Sequence, residues 1–143
     1  MKNILIIPMT FLFFPVFAQS EEAAVKEVVT SAYINSIHNG GPIENIRNGF
    51  HPSFHMLRFA GNNVNPLSIE DWIKNIEKSR AENPNNTPVK TEGKFINVTV
   101  AGNTANVVLE LFKGDKKIFT DNLLLYKFDE GWRIVSKTYY RHP

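Results

Sequence analysis

From Phe95 to Arg141 apolar and polar residues alternate with a period of two, and the alternation breaks at Gly102-Asn103, Gly114-Asp115 and Asp129-Glu130-Gly131. Such alternation marks half-buried strands, and Gly beside Asn or Asp suits tight hairpin turns, so the stretch predicts a four-stranded antiparallel meander. Two-residue turns at the first two breaks set Val100 opposite Ala105, Val98 opposite Val107, Leu111 opposite Ile118 and Leu109 opposite Thr120. Three residues at the last set Phe128 opposite Trp132. In that register one face collects Ile96, Val98, Val100, Ala105, Val107, Leu109, Leu111, Ile118, Thr120, Asn122, Leu124, Tyr126, Phe128, Trp132, Ile134, Ser136, Thr138 and Tyr140, none of them ionisable at neutral pH. The other carries Glu110, Lys117, Asp121, Lys127, Arg133, Lys137 and Arg141. Unpaired charge is costly to bury, so the first face is expected to point inward. A single bulge would flip everything beyond it and could bring Asp121 or Lys137 inside.

Upstream the period changes from two to helical. Ser20-Glu21-Glu22 opens a helix with a cap and acidic residues at its positive end, and Val25, Val28, Val29, Ala32 and Tyr33 form its stripe up to Asn39-Gly40-Gly41. Pro42 starts a short second helix with Ile43, Ile46 and Phe50, and Ser53 to Phe59 reads as a strand. After a turn at Gly61-Asn62-Asn63 and a loop to Pro66, Ser68-Ile69-Glu70-Asp71 resembles a capping box, and Ile69, Trp72, Ile73 and Ile76 mark an amphipathic third helix. Helices first and a meander second is an α+β order.

Met1 to Ala18 changes the picture at the front: Lys2, an apolar run from Ile4 to Phe17 and small residues before Gln19 read as a secretory signal peptide. The run is shorter than the roughly 20 residues of a membrane span and holds Pro8 and Pro15, so no stable membrane anchor is expected. Residues 19–143 then form one domain, secreted or periplasmic. The sequence has no cysteine, which excludes a disulfide framework and thiol chemistry. Its formal net charge of +2 comes from scattered residues, a poor match to a nucleic-acid-binding surface.

Phe50-His51-Pro52, Gly102-Asn103-Thr104-Ala105-Asn106-Val107, the run Phe119–Lys127 and the run Gly131–Tyr139 resemble the pattern of the Putative lumazine-binding family, in the nuclear transport factor 2-like (SnoaL-like) superfamily. The resemblance implies a cone in which a strongly curved antiparallel sheet wraps N-terminal helices and leaves a pocket at its open end. Within the superfamily the same cone serves enzymes, binding proteins and assembly modules, so fold alone does not assign function.

On the expected inner face Thr120 stands opposite Tyr140 and Asn122 opposite Thr138, with Ser136 next along. These polar groups either bond one another under the core or form the fixed donors and acceptors of an apolar cavity, with Tyr140, Trp132, Tyr126, Phe54, Tyr33 and Trp72 as aromatic walls and His55 entering from the first strand. Such a site suits a flat, weakly charged small molecule, and a small-molecule-binding protein is the first reading. Superfamily enzymes resembling ketosteroid isomerase or the polyketide cyclases place Asp or His on the concave wall. The inferred wall has neither, so the alternative, a cofactor-free dehydratase, isomerase or cyclase, relies on His55 or His51 as base. Asp71 fits the start of the third helix better than the cavity. No cofactor is implied. On an extended strand His51 and His55 lie too far apart for easy shared ligation, so no metal site is expected. Outside the cone Val108, Phe119, Leu123, Leu125, Val135 and Tyr139 make an apolar band, the expected interface of a homodimer.

Overall fold

The computed structural model describes residues 20–87 and 89–143, and the expected signal peptide at 1–18 lies outside them. Helix α1 (Glu21–Val28) begins at Ser20, whose Oγ accepts the Ala23 N–H at 3.1 Å. It runs on into a π-helical segment (Val29–His38), where the Ser36 hydroxyl donates to the Ser31 carbonyl five residues back and the Asn39 N–H to the Ile34 carbonyl. Gly40, at φ 74°, turns the chain, and Pro42 precedes helix α2 (Ile43–Gly49). Strands β1 (Phe50–Ala60) and β2 (Asn63–Ser68) form a hairpin, and α3 (Ile69–Glu82) follows, with Ser68 Oγ accepting the Asp71 N–H at 3.2 Å. Then come β3 (Thr91–Ala101), β4 (Thr104–Lys113), β5 (Lys116–Phe128) and β6 (Gly131–Arg141).

The six strands make one sheet in the order β2-β1-β6-β5-β4-β3, antiparallel throughout except where β1 runs parallel to β6. The loop expected up to Pro66 is instead part of β2: Gly61 and Asn62, both at positive φ, close a tight turn that sets Val64 against Phe59 and Leu67 against Met56. The helices bury Val25, Val29, Tyr33, Ile46 and Ile73 with the inward residues of the sheet.

Three single-residue bulges decide which way the sheet faces. Ile96, Ile118 and Val135 each stand unpaired in their ladders, and each shifts the alternation of its strand by one. The turns at Gly102-Asn103 and Gly114-Asp115 have two residues as expected, and Val100 pairs with Ala105 and Val98 with Val107. Past Ile118, however, Leu111 meets Phe119 rather than Ile118, and Leu109 meets Asp121 rather than Thr120. β5 is therefore flipped against the expected faces. Phe119, Asp121, Leu123 and Leu125 point inward, while Asn122, Leu124 and Tyr126 are exposed. The last turn holds two residues, not three, so Phe128 pairs with Gly131 and not Trp132. Val135 returns the shift, so Thr120 pairs with Tyr140 and Asn122 with Thr138 as expected, but on the outer face. Trp132 and Ile134 stay inside, and beyond Val135 it is Lys137 and Tyr139 that turn inward. The apolar band expected outside is thus largely core: Leu123 and Leu125 are fully buried.

Candidate functional site

Because β5 and β6 are both flipped beyond their bulges, two opposite charges meet inside the sheet. The Lys137 ammonium lies 3.0 Å from Asp121 Oδ1, with both side chains shielded from solvent. The contact is off the direction of a good hydrogen bond and leaves Oδ1 without one, whereas Oδ2 accepts the Tyr33 hydroxyl at 2.6 Å. The ammonium stands 4.5 Å from the ring centre of Tyr139 and 5.0 Å from that of Tyr33, with Trp72 and Phe119 at 5.8 Å, an aromatic cage suited to a cation. Burial dominates the titration of all three groups: it raises the Asp121 carboxyl against the opposing pull of Lys137 and Tyr33, lowers the Lys137 amine against the pull of Asp121, and lifts the Tyr33 hydroxyl well above its usual range.

Two walls of this cluster continue into a pocket. Tyr33 meets the His38 ring edge-on at 4.7 Å and the Trp72 ring at 6.2 Å, and both His38 and Trp72 line a pocket of about 640 Å³ between the end of the π-helical segment and α3. Ile37 and Asn39 join His38 on one side, Asn75, Ile76, Ser79 and Arg80 join Trp72 on the other, and residues of the loop after α3 complete the rim. His38 Nε2 is buried without a hydrogen-bond partner. Burial, helped by the positive charges of Lys137 and Lys113, pushes the imidazole down to about 3, so the ring is neutral at physiological pH. Asn39 is committed to the backbone of Thr91, accepting its N–H at 2.7 Å and donating to its carbonyl at 2.9 Å.

Of the residues expected at a site, Trp72 lines this pocket. Tyr33 and Phe54 are buried immediately behind it, Phe54 lying against Trp72 at 6.1 Å. Trp132 is buried, but its indole N–H donates to Glu21 at 2.7 Å, at the opposite end of the first helix from His38. The expected inner set of Asn122, Thr138, Tyr140, Thr120, Ser136 and Tyr126 is on the outer face, for the reason of the bulges; Thr120 bonds His142 at 2.9 Å. His51 and His55 do not reach the pocket either: His51 stacks on Phe128 at 4.6 Å and bonds Ser53, and His55 is exposed opposite Ser68. Asp71 stays at the helix start with Ser68 and Lys74. Among the described residues no three His, Cys, Asp or Glu converge in a metal-holding group, and no helix is long and apolar enough to cross a membrane.

His38 and Arg80 are pocket residues not expected from the sequence. A helix of 3.6 residues per turn puts His38 off the stripe that ends at Tyr33, and it takes the wider π turn to bring a residue five positions on back to the same side. Arg80 does continue the four-residue steps of Trp72 and Ile76, a signal present in the sequence.

The family model described as Putative lumazine-binding matches residues 20–140. Solved structures share the architecture. A nuclear transport factor 2-like protein of unknown function from Silicibacter pomeroyi DSS-3 is 20% identical, with a TM-score of 0.67 over 84% of this chain and 94% of its own. Another, from Shewanella baltica OS155, is 20% identical with a TM-score of 0.66 over 84% and 92%. A third, from Methylobacillus flagellatus KT, is 25% identical with a TM-score of 0.61 over 84% and 90%. No curated protein matches the chain.

Proposed function

The chain belongs to the Putative lumazine-binding family and has the nuclear transport factor 2-like fold, and from that premise we propose that it is a secreted or periplasmic binding protein holding a flat organic ligand between the π-helical segment and α3. One observation carries the reading: a pocket of ligand size in which an aromatic side chain, Trp72, stands with a histidine whose buried Nε2 lacks a partner. Trp72, Ile37 and Ile76 supply apolar wall among polar residues that can fix a ligand's orientation, and a buried polar atom without a partner in the free protein is satisfied at no extra desolvation cost by a ligand that reaches it. The catalytic alternative is left without its base, since His51 and His55 stand outside the pocket. Export rests on the pattern of residues 1–18, and N-terminal sequencing of the exported protein should begin at Gln19.

The protein is further proposed to pair through its outer sheet face. The middle of that face is uncharged and holds exposed Leu57 and Leu124 beside Asn122 and Thr138, while Glu110 and Lys117 stand on one side of it, at and beyond the row of Tyr140, and Arg133 on the other. Exposed apolar surface of this kind is characteristic of an interface.

Native mass spectrometry of protein purified from its own compartment tests the binding function. A small molecule should travel with the wild type and be lost in Trp72→Ala, and lumazine, which the family name offers, is the first compound to titrate. If no molecule co-purifies and neither lumazine nor a panel of flat metabolites shifts the Trp72 indole resonance, the pocket is not a binding site.

A further inference from the structure

The charge of the pocket narrows its ligand, on the reading just given that the pocket is a binding site. Among the described residues no Asp or Glu lines it, and the one permanently charged side chain in its lining is Arg80. Arg80 Nη2 donates to the Ser36 carbonyl at 2.9 Å, which holds the guanidinium across the gap between the π-helical segment and α3 and leaves further N–H donors of its fork free of that bond. Among the described residues no carboxylate lies within ion-pair distance of Arg80, although α3 is rich in acids. Glu70 pairs with Arg47, Asp71 with Lys74 and Glu82 with Lys78, and Glu77 is exposed off the pocket wall. At the inner end of the pocket stands neutral His38, against the Tyr33 ring, and behind that ring the Lys137 ammonium is paired with Asp121, so that Arg80 carries the uncompensated charge. Surroundings with this balance of charge oppose a cation and favour an anion.

We infer that the pocket takes an organic anion, its flat body laid over Trp72 and Ile76 and its acid group held by Arg80. Trp72, Ile76 and Arg80 follow one another at four-residue steps along α3, so ring and charge are set roughly 12 Å apart at the main chain, at about 1.5 Å of rise per residue. With the reach of the arginine side chain that distance fits a bicyclic aromatic acid. A guanidinium binds a carboxylate through two parallel N–H bonds, which fixes orientation as well as charge.

The test uses three ligands of one shape and different charge: 2-naphthoate, 2-naphthamide and 2-naphthamidine. Their binding is followed through the indole N–H resonances of the full chain. The sequence has two tryptophans, and Trp132, bonded to Glu21, serves as the internal control for Trp72. The basic hollow formed by Lys113, Lys116 and Arg141 contains no tryptophan, so binding there does not mimic the expected signal. The expected result is that 2-naphthoate shifts Trp72 alone, about tenfold more tightly than the amide, with the amidine weakest. Arg80→Gln, which removes the charge and keeps an amide donor, should remove that preference and leave the amide within about twofold of its wild-type affinity. Equal binding of all three ligands, or an Arg80→Gln protein that keeps the preference, overturns the inference while leaving the pocket a binding site. No shift of Trp72 with any of the three overturns the inference too, and the binding reading falls with it only if no molecule co-purifies and neither lumazine nor the panel shifts Trp72.

Discussion

His38 closes the π-helical segment with its ring edge-on to Tyr33 and its Nε2 in a place that offers no hydrogen bond. Its folded value of about 3 lies below that of an exposed imidazole, so as pH falls through about 6.5 the unfolded chain takes up a proton that the folded chain refuses. The wild type should therefore lose stability in mild acid, by about 2 kcal/mol between pH 7 and pH 5 from this residue, and His38→Phe should lose that much less over the same interval. Urea unfolding at the two pH values measures the difference, and an imidazole that titrates near 6.5 by NMR would show that the site is wet. The Asp121–Lys137 pair makes a second expectation at this scale. Lys137→Met strands a carboxylate among aromatic rings and should cost about 3–5 kcal/mol, and adding Asp121→Asn, which keeps an acceptor for the Tyr33 hydroxyl, should recover much of it. A double mutant as unstable as the sum of the singles would deny that the charges are coupled. Neither cluster could be read from residue types alone: Asp121 and Lys137 sit in an alternating pattern as apparent surface charges, and only the bulges reveal that they face each other inside.

At the scale of elements, the helices and turns were legible because each has a local chemical cause. Ser20 and Ser68 cap their helices, Gly40 turns the chain where the π-helical segment ends, and Gly102 and Gly114 take the positive φ that two-residue turns require. The bulges have no such signature. Ile96, Ile118 and Val135 are β-branched residues ordinary in any strand, and nothing in their local sequence marks them for a bulge. Strand pairing near a turn follows from the turn, while the face a strand presents depends on every residue between, so two unseen bulges, at Ile118 and Val135, inverted most of the expected site. Tertiary fit governs α2, which ends at Gly49 against Ala32. A Cβ there would stand 2.2 Å from the Ala32 methyl group, so Gly49→Ala should push α2 off the π-helical segment and cost about 1–3 kcal/mol. An unchanged melting temperature would mean that the two elements separate without penalty.

For the molecule as a whole, flipping β5 exchanges the two surfaces on which association was to be judged. Leu123, expected on an outer apolar band, is fully buried, whereas its neighbour Leu124 is 49% exposed on the face proposed to meet a second copy. The two leucines are one residue apart in sequence and differ only in the side of the sheet they take, so glutamate at each distinguishes packing from pairing. Leu123→Glu places a carboxylate in the core beside the Asp121–Lys137 pair and should unfold the chain or cost it several kcal/mol, on the order of 3 or more, whatever its state of association. Leu124→Glu leaves the core alone. It sets one charge from each copy into a surface whose middle is uncharged, and like charges brought together without partners oppose the interface. Sedimentation velocity should then show a wild-type dimer and a Leu124→Glu monomer with the same circular dichroism and melting temperature as a dilute wild-type sample. A wild type that sediments as a monomer at high concentration, or a Leu124→Glu protein that still pairs, would rule this face out as the interface.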